Sequence, residues 1–316
     1  MNAYIRAIGV CRPKDVLTNA DLEKIVDTND EWITTRTGIK ERRIVKDPNI
    51  MSSDLATAAA QEALEKAGLK PEDVDGIILG TIVADKVMPA TACIVQKKLG
   101  CKNAWAYDIT AACSFVPIAL NNAALMIRSG QAKNILIIGT EIMSRIIDWK
   151  DRNTCVLFGD GAGAMLISET DDSDRGYINT YLKSDGTTDH ILYVNQPNHE
   201  NPYIQMDGQA VFKMAVKEMT TSVRKTLEMA NLTVDDVDVL CPHQANLRIM
   251  EATADRLKIP REKVLMNLHK YGNTSSATIP IALYEAEQEG KLKPGQLVSM
   301  VAIGSGMVWG ASLVRW

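Results

Sequence analysis

Three segments of the chain place a chemically active side chain where a strand is predicted to give way to a helix. The first reads YDITAACSFVPIAL over residues 107–120, and Cys113 lies between a strand-like run and an apolar helix. Free backbone N–H groups and the helix dipole at such an N-terminus favour a thiolate. The segment therefore predicts a nucleophilic cysteine, and the alternative is a buried structural cysteine.

The other two segments carry hydrogen-bond donors. His243 follows a predicted strand in LCPHQANLRIM, residues 240–250, and Asn273 precedes small hydroxyl residues in LHKYGNTSSATIP, residues 268–280. A histidine at a strand end can donate a hydrogen bond into a site, and an asparagine amide is a neutral donor. The alternatives are a satisfied buried histidine and an ordinary turn with a helix cap.

The chain repeats itself at an offset of 163 residues. AAQEALEKAGLKPEDVDGIILGT begins at residue 59 and resembles SVRKTLEMANLTVDDVDVLCPHQ, which begins at residue 222, and 222 − 59 = 163. The tripeptide IAL recurs at residues 118 and 281, again 281 − 118 = 163. Both copies of the longer segment read as an amphipathic helix, a polar turn and a buried strand. Chance similarity is the alternative, and the shared offset of two separate blocks argues against it.

Strands that alternate with helices favour a mostly parallel sheet covered by helices. Two such halves related by a pseudo-twofold predict an α/β fold with five layers, α-β-α-β-α. The halves are placed at residues 1–170 and 171–316. Loops at equivalent strand ends meet between the halves, so Cys113, His243 and Asn273 are expected in one site. At the same offset Cys113 corresponds to Ser276, and the two loops should face each other.

Composition narrows the functional classes. The chain has 316 residues, 46% of them hydrophobic, and its net charge of −4 argues against a broad nucleic-acid-binding surface. We expect a soluble, cytoplasmic protein, because the N-terminus has no signal-peptide pattern and no run approaches the roughly 20 apolar residues of a spanning helix. The six cysteines form no C-x-x-C pair, and no histidine stands at ligand spacing from them. No metal site is expected.

The three segments together resemble the β-ketoacyl-acyl carrier protein synthase III family of the thiolase-like superfamily. The matching order is Cys113 in AAC, His243 in PHQANLRI and Asn273 in GNTS. The resemblance runs nearly end to end, through TNADLEKIVDTNDEWITTRTGIKERRI from residue 18, LFGDGAGAMLI from residue 157 and WGASLVRW from residue 309. It implies the duplicated thiolase fold, a homodimer and the first condensation of type II fatty acid synthesis.

The resemblance also implies the reaction sequence. An acyl group moves from acyl-coenzyme A to Cys113, whose thiolate can take it on and pass it forward. Malonyl-acyl carrier protein then loses carbon dioxide, and its carbanion attacks the acyl-cysteine. Donors from His243 and Asn273 would stabilise the enolate, and the backbone N–H groups of Cys113 and Ser305 would form the oxyanion hole. No metal or cofactor is implied, since coenzyme A enters as part of a substrate.

Five further residues receive binding roles from the resemblance. Trp32 would stack on the adenine of coenzyme A, with Arg36 and Arg152 at the nucleotide or its phosphates. Arg248 and Lys213 would dock the acidic carrier protein. The alternatives are a core position for Trp32, a solvated helix residue at Arg36, and ordinary surface charges at the docking positions.

The sequence departs from the family pattern near the nucleophile. Phe115 stands where the family has glycine, and Gly304-Ser305-Gly306-Met307 replaces three glycines and a phenylalanine. Met88 stands where a bulky aromatic of the partner subunit often closes the primer pocket. We therefore expect Phe115 and Met88 to shape that pocket, with acetyl as the default primer.

Three other functions fit some of these residues. A paralogue would load a polyketide or secondary-metabolite starter or pass the acyl group to another acceptor, and an assay with malonyl-carrier protein separates it. A cysteine hydrolase using Cys113 and His243 would release free acid without malonyl thioester. A non-enzymatic acyl-binding protein is disfavoured because all three polar site residues are intact.

Overall fold

Strands and helices alternate along the chain in the computed structural model, which describes residues 1–196 and 198–316. The strands are β1 (Asn2–Cys11), β2 (Asp15–Thr18), β3 (Glu41–Ile44), β4 (Gly76–Gly80), β5 (Trp105–Ile109), β6 (Asn134–Glu141), β7 (Gly161–Thr170), β8 (Gly176–Ser184), β9 (Leu192–Val194), β10 (Ile204–Met206), β11 (Val239–Pro242), β12 (Leu297–Gly304) and β13 (Val308–Arg315). The helices are α1 (Asn19–Leu22), α2 (Asp30–Thr37), α3 (Ser52–Ala67), α4 (Thr91–Leu99), α5 (Phe115–Arg128), α6 (Gly208–Met229), α7 (Leu247–Leu257), α8 (Leu268–Tyr271) and α9 (Thr278–Gln288).

Two mixed sheets form the framework. The first has the strand order β1-β7-β6-β4-β5, and the second has the order β11-β12-β13-β8. β4 pairs in parallel with β5 and β6, whereas β7 runs antiparallel to β1 and β6. In the second sheet only β11 and β12 are parallel. The expectation of mostly parallel sheets was therefore wrong, because β6 returns to β7, and β12 to β13, without the crossover helix that a parallel pair needs.

The helices complete five layers. α3 and α4 cover one face of the first sheet, while α5 and α9 lie between the two sheets. α6 covers the far face of the second sheet, and α7 packs against α6. The central layer buries apolar side chains of both halves in one core, among them Ala119, Ile137 and Met300. The predicted α-β-α-β-α architecture is confirmed.

The 163-residue offset is reproduced in the backbone. Strand β6 spans 134–141 and β12 spans 297–304, so both ends differ by 163. The short 3₁₀ turns Ala112–Ser114 and Ser275–Ala277, which lead into α5 and α9, are related in the same way. The copies differ at β5, whose counterpart is the short helix α8, and the second sheet therefore has one strand fewer.

The two 3₁₀ turns meet at the centre of the molecule. Ala112 and Ser275, which are equivalent in the two halves, both have left-handed backbones with φ of 45° and 48°. β6 lies directly beneath the second turn, because a Cβ on Gly139 would stand 2.2 Å from the carbonyl oxygen of Ser276. Only glycine allows that approach. In the described part of the chain, no helix combines the length and the apolar character that crossing a membrane requires.

Candidate active site

Cys113 occupies the sharp turn at the start of α5. The preceding residue, Ala112, has the left-handed backbone, and Cys113 then begins the helical path with Ser114. Its side chain is buried, with 8% of the residue exposed. An N–H in the first turn of a helix has no partner within that helix, so the Cys113 N–H is available to a ligand. The predicted position of Cys113 between a strand and a helix is confirmed.

The electrostatics of Cys113 differ from the expectation. The pKa of its thiol is raised to about 12, mainly because the residue is buried and in part because the Glu141 carboxylate lies nearby. A hydrogen bond to Ser275 and the residue's own N–H lower the pKa, but they do not offset the loss of water. The helix N-terminus was expected to favour a thiolate, and burial outweighs it. The resting residue is therefore a thiol.

Asn273 is held by backbone contacts between the halves. Its N–H donates to the carbonyl of Leu157 at 2.9 Å, and its carbonyl accepts from Gly159 at 3.1 Å. Its side-chain Oδ1 accepts the N–H of Ser275 at 2.8 Å, which supports the left-handed turn. The amide nitrogen Nδ2 is then the remaining polar atom of the side chain and can donate only.

His243 follows β11 and is buried, with 2% of the residue exposed. Burial lowers its pKa to about 3, so the ring is neutral at physiological pH. Its Nδ1 lies 2.7 Å from the hydroxyl of Thr278 in α9, which also lies 3.1 Å from the carbonyl of Ser275. If the hydroxyl donates to Nδ1, the proton of the neutral ring is on Nε2, and His243 can act as a donor through that atom.

These residues line one cleft of about 2100 Å³. Cys113, His243, Asn273 and Ser305 all contribute to its wall. Gly304, next to Ser305, comes so close to the nucleophile that a Cβ there would stand 2.9 Å from the Cys113 nitrogen. The predicted oxyanion pair is therefore brought to the same place, and its role stays a prediction.

An aromatic ring and two guanidinium groups meet at the outer part of the cleft. The guanidinium carbons of Arg152 and Arg36 lie 4.6 Å and 5.8 Å from the centre of the Trp32 ring. Arg152 also donates to the carbonyl of Asp27 at 3.0 Å. The structure thus brings together the residues predicted for coenzyme A. Trp32 and Arg36 line the cleft, and Arg152 contacts the Trp32 ring without lining the cleft.

The two predicted docking residues lie on the rim. Arg248 is in the first turn of α7 and Lys213 is in α6, and both are exposed and line the cleft. The guanidinium of Arg248 lies 6.0 Å from the ring centre of Phe212. Two positive charges therefore stand at the edge of the cleft, and the docking role of both residues stays a prediction.

The two residues predicted for the primer pocket, Phe115 and Met88, do not line the described cleft. Phe115 is fully buried and does not line the described cleft, because its ring packs on β4, where a Cβ on Gly80 would stand 2.3 Å from it. Met88 is 81% exposed on the connection between β4 and α4 and does not line its own chain's cleft. Phe115 therefore supports the floor beneath the nucleophile, and a pocket role for Met88 stays a prediction that involves a partner subunit.

Sequence reasoning missed three polar residues around the nucleophile. Ser275 Oγ lies 3.5 Å from Cys113 Sγ, Thr278 contacts His243, and Glu141 is fully buried beside them. One signal was available for Glu141, which ends the otherwise apolar strand NILIIGTE. Among residues 1–196 and 198–316, no group of three His, Cys, Asp or Glu side chains is arranged so that it could hold a metal ion.

Comparisons with known proteins point to one family. Sequence profiles described as 3-oxoacyl-[acyl-carrier-protein (ACP)] synthase III match residues 107–186 and, for its C-terminal part, residues 227–316. A β-ketoacyl-[acyl-carrier-protein] synthase III of Aquifex aeolicus (strain VF5) is 50% identical over 316 residues, all of both chains. The crystal structure of 3-oxoacyl-[acyl-carrier-protein] synthase III from Aquifex aeolicus VF5 superimposes with a TM-score of 0.96 at 50% identity, covering 99% of this chain and 100% of that one.

A second solved structure comes from another pathway. The priming β-ketosynthase of the R1128 polyketide biosynthetic pathway has a TM-score of 0.94 and 33% identity, with coverage of 99% of this chain and 96% of that chain. The fold alone therefore does not distinguish between starter reactions of the two pathways.

The depressed pKa of His243 predicts a pH dependence of stability. Below pH 6.5 the unfolded chain takes up a proton on this residue, whereas the folded chain does so only near pH 3. The free energy of unfolding therefore loses about 1.4 kcal/mol per pH unit from this residue as the pH falls through that window. Urea unfolding of the wild type and His243→Asn should show their stability difference change by about 2 kcal/mol between pH 6.5 and 5.

His190→Asn, at an exposed position, is the matched control for that experiment. Wild-type and His243→Asn curves that run parallel with pH would mean that the folded protein protonates His243 in the ordinary range.

Proposed function

Because this chain belongs to the 3-oxoacyl-[acyl-carrier-protein] synthase III family, we propose that it joins an acyl-coenzyme A primer to malonyl-acyl carrier protein through an acyl group on Cys113. The family consists of acyltransferases that catalyse the initiating condensation of fatty acid synthesis. The observation that carries the residue assignment is the convergence of Cys113, His243 and Asn273 in the wall of one cleft.

The first half-reaction takes place at Cys113. The Cys113 sulfur attacks the thioester carbonyl of the acyl-coenzyme A, and negative charge develops on the carbonyl oxygen. The backbone N–H groups of Cys113 and Ser305 stabilise that oxygen, and loss of one such donor typically costs about 3 kcal/mol. The close approach of Gly304 to the Cys113 nitrogen supports this assignment. Coenzyme A then leaves as the thiol.

The second half-reaction uses the side-chain donors. Malonyl-carrier protein loses carbon dioxide, and the charge of the resulting enolate is placed on its thioester oxygen. Asn273 donates through Nδ2 and His243 through Nε2, and the second donor requires that the Thr278 hydroxyl gives its proton to His243 Nδ1 and not to the Ser275 carbonyl 3.1 Å away. Both donors are neutral, so they stabilise the enolate without first having to give up a proton. We propose no metal and no cofactor for this step.

The coenzyme A part of the substrate is proposed to bind in the outer part of the cleft. The adenine of coenzyme A is proposed to stack on Trp32, with Arg36 and Arg152 at the nucleotide or its phosphates. The cation–π contacts of both arginines with that ring support the assignment, because they already hold positive charge beside a flat stacking surface.

We also propose a homodimer in which the connection after β4 meets the partner subunit. Val87 and Met88 at its tip are 98% and 81% exposed. Adjacent apolar side chains exposed to that degree are typical of a surface that another chain covers. A panel of acyl-coenzymes A of varied length and branching separates an acetyl-primed enzyme from one that starts a polyketide.

The proposed function predicts one acyl group per chain on Cys113. Incubation with a suitable acyl-coenzyme A should raise the intact mass by one acyl group, and subsequent malonyl-carrier protein should remove it as the β-ketoacyl product. Cys113→Ala should take up no acyl group. Peptide mapping that places the group on Cys93, Cys155 or Cys241 would contradict the assignment.

The docking proposal predicts a change that is confined to the half-reaction with the carrier protein. Arg248→Glu should raise the apparent KM for malonyl-carrier protein and weaken its dependence on ionic strength, because rim charges act mainly on encounter. Acylation of Cys113 from coenzyme A should stay within about twofold of the wild type. Arg256→Glu, exposed in the last turn of the same helix and outside the cleft, is the matched control. Equal effects of both variants, or loss of acylation in Arg248→Glu, would rule out Arg248 as a carrier contact.

A further inference from the structure

A carboxyl group is buried beside the nucleophile and has no place in the reaction described above. Glu141 is the last residue of β6, and none of it is exposed. Its Oε2 accepts the N–H of Ile82 at 3.0 Å and lies 3.3 Å from the Thr81 hydroxyl. Its Oε1 accepts the hydroxyl of Ser276 at 2.9 Å. A carboxyl group that only anchored the chain would gain little from complete burial without a cation.

A hydroxyl connects this carboxyl group to the nucleophile. Cys113 Sγ donates to Ser275 Oγ over 3.5 Å. The Ser275 hydroxyl lies close enough to Glu141 to lower the pKa of its carboxyl group, and the next residue, Ser276, donates to Glu141 Oε1 at 2.9 Å. Ser275 is held in place by its left-handed backbone and by the bond from its N–H to Asn273. The path from sulfur to carboxylate therefore uses one side chain that the fold keeps rigid.

The site needs such a path. The resting nucleophile is a thiol, and its proton has to leave as the sulfur–carbon bond forms. His243 is poorly suited to accept it, because burial holds its pKa near 3 and its Nδ1 is engaged by Thr278.

We propose that Glu141 accepts the proton of Cys113 through the hydroxyl of Ser275 during acylation. The Sγ–H bond breaks, the Ser275 hydroxyl gives its proton to the carboxylate and receives the proton of the thiol, and the sulfur bonds to the thioester carbon. When the bond from that carbon to the coenzyme A sulfur breaks, the departing thiolate takes the proton back along the same path. The proposal rests on the acyl-Cys113 intermediate of the proposed function.

The electrostatics of Glu141 suit this role. The pKa of its carboxyl group is raised to about 7, because the effect of burial outweighs that of the hydrogen bonds from Ile82, Ser276, Ser275 and Thr81, which lower the pKa. The titratable group that faces it is Cys113, and across residues 1–196 and 198–316 no lysine or arginine forms an ion pair with it. Above pH 7 the carboxylate can accept a proton, and a base whose pKa lies near the working pH is the most effective.

The test is single-turnover acylation of Cys113 by acyl-coenzyme A, followed by intact mass between pH 5.5 and 9. The wild-type rate should fall about tenfold per pH unit below about pH 7, as Glu141 becomes protonated. Glu141→Gln keeps the shape of the side chain and should lower the rate by about 10²-fold or more and remove this pH dependence.

The same variant distinguishes a proton acceptor from a mere buried charge. The negative charge of Glu141 raises the pKa of Cys113, so its removal makes the thiol more acidic. If Glu141 acted only through its charge, Glu141→Gln would acylate faster than the wild type. A rate that is equal to or above the wild-type rate overturns the proposal.

Two serine variants test the path itself and keep the test valid if Glu141→Gln folds poorly. Ser275→Ala should lower acylation like Glu141→Gln, and alanine suits this backbone since Ala112 adopts it in the other half. Ser276→Ala is the matched control, because Ser276 bonds Glu141 and not the nucleophile. It should retain the acid limb and shift it to higher pH, since a bond that lowers the Glu141 pKa is lost.

Acylation of Ser275→Ala at the wild-type rate overturns the relay. A wild-type protein that takes up no acyl group on Cys113 overturns the proposed function, and the relay with it. Wild-type acylation together with undiminished acylation of Glu141→Gln overturns the relay alone.

Discussion

The contact between the two 3₁₀ turns at the centre of the molecule fixes the positions of the site residues around it. Each turn begins with a residue in a left-handed backbone, Ala112 or Ser275, and such residues cost about 1–3 kcal/mol each unless their surroundings fix them. Here the surroundings are the ends of β6 and β12, which press glycines against the turns. The contacts that hold these two backbones in place also fix the side chains, so that Cys113 Sγ and Ser275 Oγ lie 3.5 Å apart.

Burial around this contact gives each group its protonation state. It raises the pKa of Cys113 and of Glu141, and it lowers the pKa of His243. All three shifts favour the neutral form, as expected where water is excluded. Neutral donors can stabilise negative charge that develops during a reaction. They need no charged partner in the resting site.

The duplication made much of this arrangement predictable. The offset of 163 residues predicted the five layers and that the loops of Cys113 and Ser276 face each other, because hydrophobic periodicity and strand-to-helix junctions can be read from the residue pattern. The direction of a side chain in the first turn of a helix is not recorded there. Phe115 was therefore expected in the pocket, although it turns onto β4 and packs on Gly80.

The role of a polar residue was predictable only where it stood in a recognisable segment. Glu141 was missed because its neighbours at the site, Ser275 and Ser276, are more than 130 residues away along the chain. Its counterpart at the offset, 141 + 163 = 304, is Gly304, which approaches the nitrogen of Cys113 in the other half. The two equivalent strand ends therefore differ in function. β6 ends with a carboxyl group, and β12 ends with a glycine whose missing side chain allows the Cys113 turn to come close.

The central claim is that one cleft holds two separate sets of donors, one for each half-reaction. The most direct measurement compares His243→Ala and Asn273→Ala in both half-reactions, with acyl transfer to Cys113 followed by intact mass and decarboxylation of malonyl-carrier protein followed by release of carbon dioxide. The account predicts that decarboxylation falls about 10²-fold or more in each variant, while acyl transfer stays within about tenfold of the wild type. Equal losses in both half-reactions would contradict it, since His243 and Asn273 would then support the turn or the thiol and not the enolate.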